Sequence, residues 1–71
     1  MYKKVDTSLN FLEREKEVLR LLVKGMSNTA IAKELIVSVH TAKAHVCNIF
    51  QKMKVTDRVQ AAVKAVNFNL I

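Results

Sequence analysis

An all-α fold, a four-helix bundle with a central helix-turn-helix, is what this sequence predicts, and three observations carry the prediction. Proline is absent and the sole glycine is Gly25, too little turn chemistry for a sandwich or barrel but enough for helices joined by short links. Apolar residues recur at helical spacing in four segments. Two of those segments open on a serine, Ser27 and Ser38, with only Ile36 and Val37 left to connect them. Two helices must then meet across a very short turn, the pattern of a helix-turn-helix.

The elements follow in order. Residues 1–10 mix charge and polar groups without a period and read as a flexible arm or linker remnant, so the folded domain is placed at 11–71. Over 13–24, Val18, Leu19 and Leu22 form the inward stripe of a first helix that Gly25 stops. Glu13, Glu15 and Glu17 complement its dipole and read as solvated. Neither Phe11 nor Leu12 offers a capping oxygen, which leaves Asn10 as the candidate cap. Ser27 caps a helix of about two turns ending at Leu35, with Ile31, Ala32 and Leu35 inward; Ala30 and Ala32 are small enough for a neighbouring helix to come close. Ser38 caps a longer helix to Met53 or Lys54, with Ala42, Val46, Ile49, Phe50 and Met53 on one side. Thr56 is the expected cap of a last helix over 57–67, whose Ala61, Ala62, Ala65 and Phe68 would close the core.

A chain of 71 residues makes one small domain with a thin core. Hydrophobic residues are 51%, more than a disordered chain carries, and no apolar run approaches the roughly 18 residues of a membrane span. A lone cysteine, Cys47, cannot close an internal disulfide, which fits a cytoplasmic setting. The formal charge of +6 favours an anionic partner. Its distribution is more informative: the acids are Asp6, Glu13, Glu15, Glu17, Glu34 and Asp57, so residues 35–56 carry no negative charge.

The third helix falls inside that window, and its outer side combines His40, Lys43, Ala44, Cys47 and Gln51. Small Ala44 and Cys47 let a helix sink into the DNA major groove. Lys43 can donate to guanine O6 or N7 or to a phosphate, and Ala44 can pack on a thymine methyl. Ser38, Thr41, His45, Asn48 and Lys52 border the stripe and are types that hydrogen-bond phosphate oxygens. A merely solvated face is the ordinary meaning of such a stripe, but the preceding short helix, the tight turn and the acid-free window favour DNA.

From residue 11 to 65 the chain resembles the LuxR-type (GerE-like) DNA-binding domain found in many bacterial transcription factors, including NarL-class response regulators. The residues that carry the likeness are Arg14-Glu15 with Glu17-Val18-Leu19, Gly25 before Ser27-Asn28, Ile31-Ala32 with Leu35, Ser38 with Thr41, Lys43 with His45, then Lys52, Val55, Arg58 and Ala61. The resemblance implies a tetrahelical domain whose third helix enters the major groove and whose fourth supports dimerisation, usually on an inverted or direct repeat. Three positions depart from it. Leu12 stands where the family commonly has a capping Thr, Ala30 where Glu is usual, and Ala42 where Val is usual. Each missing cap should weaken a helix end by about 0.5–2 kcal/mol, and Ala42 thins the core unless Phe50 compensates.

The expected function is sequence-specific binding of double-stranded DNA by a transcriptional regulator or its output domain, acting as a dimer. No catalysis is expected, because nucleophile elbow, P-loop and dinucleotide fingerprint are all missing. His40 and His45 stand about 140° apart around a helix and Cys47 adds only one ligand on the His40 side, so neither a metal nor a cofactor is expected. Val59, Val63 and Val66 recur at i, i+4 and i+7 and are the expected face of a weak homodimer. Arg58 should hold the last helix against an acid such as Glu17 or Glu34. RNA polymerase is a further candidate partner. The rival reading is a small helical protein-interaction module whose basic face binds an acidic partner; a membrane-surface role lacks bulky apolar anchors.

Overall fold

The computed structural model describes residues 11–69, and within them four helices and no strand: α1 (Glu13–Val23), α2 (Asn28–Leu35), α3 (Val39–Met53) and α4 (Arg58–Asn67). The arm expected over residues 1–10, Asn10 as a cap, and the tail Leu70 and Ile71 lie outside the described residues. Every helix supplies the core: Val18, Leu19 and Leu22 from α1, Ile31 and Ala32 from α2, Ala42, Val46, Ile49 and Met53 from α3, Ala61 and Ala65 from α4. Ala42 is fully buried, and Phe50 packs half-buried against the same cluster. Leu35, expected inward, is half-buried.

The helix starts follow side-chain chemistry. Ser27 Oγ accepts from the Ala30 N–H at 3.1 Å and Ser38 Oγ from the Thr41 N–H at 3.0 Å, each satisfying a donor that helix geometry leaves without a partner. Leu12 holds the start of α1 without a side-chain acceptor, yet its own N–H donates to Oε1 of Glu15 at 3.1 Å. Half of a capping box therefore survives the loss of the capping hydroxyl. The cap of α4 is Asp57, not Thr56: Asp57 Oδ1 accepts from the Gln60 N–H at 2.9 Å, while Thr56 donates its N–H to Oε1 of Gln60 at 3.2 Å. A carboxylate one residue nearer the helix competes better for the first-turn donors and favours the dipole.

The first three helices end alike. In each, the residue after the helix or its cap takes positive φ, and two backbone bonds close the last turn in a Schellman arrangement: Met26 to Leu21 and Gly25 to Leu22, Val37 to Ala32 and Ile36 to Lys33, Val55 to Phe50 and Lys54 to Gln51. Gly25 takes φ 90 as its chemistry allows. Ile36 (φ 58) and Lys54 (φ 59) do so with a side chain attached. For β-branched Ile36 that conformation is a steric outlier.

Phe68, expected in the core, is 63% exposed. It is the residue that ends α4, with φ −106 and ψ 12, so the helical phase that would turn it inward no longer applies.

Candidate nucleic-acid interface

The α2–α3 link is the three residues 36–38, and the left-handed Ile36 is what lets so short a link redirect the chain. Its consequence is that α3 projects one whole side away from the bundle. His40, Lys43, Ala44, Cys47 and Gln51 are all exposed, opposite the buried Ala42, Val46, Ile49 and Met53. Asn48 is exposed beside this stripe, whereas Thr41, His45 and Lys52 are half-buried along its flank. Val39, first residue of α3, is 43% exposed and adds an apolar contact surface at the helix start. The sequence signal for it was an apolar residue directly after a serine cap.

Chemistry differs along the flank. Ser38 accepts from the Thr41 N–H and donates its hydroxyl to Thr41 Oγ1 at 3.0 Å, so its O–H proton is committed to the cap while one lone pair is left. Thr41 keeps its own O–H proton for an outside acceptor. Lys52 is anchored inward: Nζ reaches Oε1 of Glu15 at 2.6 Å and stands 6.0 Å from the centre of the Phe11 ring. That pairing corrects the reading of Glu15 as a solvated acid, since its side chain is only 3% exposed. Burial alone would raise the Glu15 pKa. The Lys52 hydrogen bond, the Leu12 N–H, the Lys52 charge and the nearby His45 together outweigh burial and hold it below the ordinary carboxylate value. Glu13 and Glu17 do remain on the surface, in exposed pairs with Lys16 at 3.5 Å and Arg14 at 3.6 Å, worth little in water.

Arg58 holds α4 in place, but not through an acid. Its Nη1 donates to the carbonyl of Met26 and its Nη2 to Oδ1 of Asn28, both at 2.7 Å. Glu17 and Glu34 instead border an open cleft of about 180 Å³ between α1 and α2. On α4, Val59, Val63 and Val66 are 70%, 53% and 57% exposed, forming an apolar stripe in water. Among the described residues no three His, Cys, Asp or Glu side chains gather as metal ligands would, and no helix is long and apolar enough to cross a membrane.

Four helices with a capped, outward-facing third helix after a three-residue turn define a helix-turn-helix domain. Residues 10–65 match the family of bacterial regulatory proteins called the luxR family, and the chain belongs to it. It is 42% identical over 71 residues to the response regulator protein VraR of Staphylococcus aureus strains Mu3 and NCTC 8325 and of Staphylococcus epidermidis strain RP62A. That alignment covers 100% of this chain and 34% of each relative, so the chain spans about a third of the length of the curated relatives it matches. Membership makes this a DNA-binding domain of transcription regulators and not an enzyme.

Proposed function

We propose that this chain is the DNA-reading output domain of a bacterial response regulator, with α3 seated in the major groove of double-stranded DNA and two copies joined through α4. One observation carries the reading: the exposed stripe of α3 is short-chained at Ala44 and Cys47, basic at Lys43, and free of acids throughout residues 35–56. In this reading Lys43, Ala44 and Cys47 meet base edges, with His40 beside them. Thr41, Asn48 and the free N–H groups of the first turn of α3 meet phosphates. Ser38, His45 and Lys52 border the contact and hold the helix in place. The name of the relatives, response regulator, supports the output role.

Binding to duplex DNA measured across a salt series tests this. Phosphate neutralisation gives a linear fall of log affinity with log salt, with a slope close to 0.9 per phosphate contact. A shallow slope, with tight binding to an acidic polypeptide instead, would establish the interaction-module alternative. Selection of bound sequences from a random duplex library then supplies the operator.

A further inference from the structure

The last helix rests on the core through two alanines, Ala61 and Ala65, its only buried residues. Methyl groups interdigitate little, so packing by itself leaves α4 loosely specified in slide and rotation. Two cations supply what packing does not. Arg58, the first residue of α4, donates to the Met26 carbonyl and to Asn28 Oδ1, both at 2.7 Å. Further along, Lys64 Nζ donates to the carbonyl of Met53 at 2.7 Å. Asn28 opens α2 and Met53 closes α3. Thus α4 is fastened to both helices of the helix-turn-helix, at points about 9 Å apart along its axis. The Lys64 contact also satisfies a carbonyl at the C-terminus of α3, where a cation is favoured.

Val59, Val63 and Val66 lie within about 60° of one another at 3.6 residues per turn, on the side of α4 opposite Ala61 and Ala65. A second copy docked on that stripe would sense the reading helix through how firmly α4 is seated on α2 and α3, directly and by way of α1. We infer that Arg58, holding α4 to the start of α2, and Lys64, holding it to the end of α3, are positioning residues that fix this seating, and with it the spacing at which two copies occupy DNA. The inference rests on the α4 dimer proposed above. It adds that spacing is read by two hydrogen-bonded cations far from any base.

The test uses the full chain and duplexes carrying two selected half-sites, their separation varied one base pair at a time around one turn, about 10 bp. Lys64→Met keeps the aliphatic stem and removes the donor; Arg58→Lys keeps the charge but loses the fork that reaches two acceptors. The wild-type chain should favour one spacing over its neighbours by on the order of fivefold or more. In both variants the preference should flatten to less than about twofold while affinity for a single half-site is unchanged. Unfolding followed by circular dichroism shows that the variants are folded at the binding temperature. A variant that keeps the wild-type spacing preference overturns the inference. So does one that loses single-site and paired affinity by the same factor, because the residue is then merely structural or touches DNA itself. A wild-type chain that fills two sites independently at every spacing is a separate result, and defeats the α4 dimer first.

Discussion

Lys52 Nζ lies 2.6 Å from Oε1 of Glu15, tying the first turn of α1 to the last turn of α3. The two ends of this pair differ in solvation: the Glu15 side chain is 3% exposed and that of Lys52 34%. Without Glu15, the lysine can swing to water. Without Lys52, a buried carboxylate keeps the Leu12 N–H and the weaker influence of His45. Lys52→Met should therefore cost about 2–4 kcal/mol and Glu15→Gln about 1–2 kcal/mol. Urea unfolding at neutral pH measures both, and the reverse order would show that the carboxylate is hydrated in solution.

The same pair sets an acid limit on stability. The Glu15 pKa is lower folded than unfolded, so its contribution is complete above the unfolded value and vanishes as pH falls through the folded one. Unfolding free energy should decline from about pH 5 downward. In Glu15→Gln the decline should be shallower. Equal acid slopes in the two proteins would assign the loss to other carboxylates.

Most helix boundaries were legible because capping chemistry is local. Ser27, Ser38 and Gly25 mark their ends within a residue, and the apolar spacing of α3 separates buried from exposed positions correctly. Thr56 and Asp57 are adjacent and either can cap, and only the backbone decides which one does. Glu15 is different. It stands at i to Val18, Leu19 and Leu22 at i+3, i+4 and i+7, so the spacing does place it on the buried side, a signal that the flanking surface acids Glu13 and Glu17 mask. The partners of Arg58 were not legible, since one is a backbone carbonyl that every residue carries. Nor was the left-handed turn at Ile36, where the residue type argues against the conformation found.

That turn makes a stability prediction. Ile36 is 90% exposed at φ 58, so it contributes almost no burial while bearing a conformational cost of roughly 1–2 kcal/mol. Ile36→Asn should stabilise the domain by about 1 kcal/mol, raising the melting temperature by roughly 4–8 °C. Glycine should gain less, because it also frees the unfolded chain. A melt lowered by Asn would mean that Ile36 is held by contacts the monomer does not reveal.

If α3 enters the major groove as proposed, Lys43→Ala should weaken specific binding by about 1–3 kcal/mol and relax preference at one base pair. A loss that is equal on all duplexes would make Lys43 a phosphate contact instead. An unchanged affinity on every duplex would remove α3 from the groove.

Cys47 separates fold from binding. Being exposed, it should accept Ser or Ala without effect on the melt. Cys47→Glu should keep a wild-type circular dichroism melt and abolish DNA binding, because it sets a carboxylate against the phosphates. An unfolded Glu variant would show that the side chain is packed in solution.

Val63 lies at the middle of the apolar stripe of α4, 53% exposed between Val59 and Val66. A stripe from one short helix buries far less than the ~1,200–2,000 Å² of a stable interface. The free chain should therefore be largely monomeric, and two copies should meet on DNA, where binding to neighbouring sites supplies the effective concentration. Val63→Glu places a charge where each copy would have to desolvate it, against the same charge of its mate. Since Val63 is outside the core, the monomer should fold and hold one half-site with wild-type affinity. Occupancy of the second half-site should lose its cooperativity. Gel-shift titration of a two-site duplex reads both quantities at once, and cooperativity equal to wild type in the Glu variant would move the dimer contact off α4.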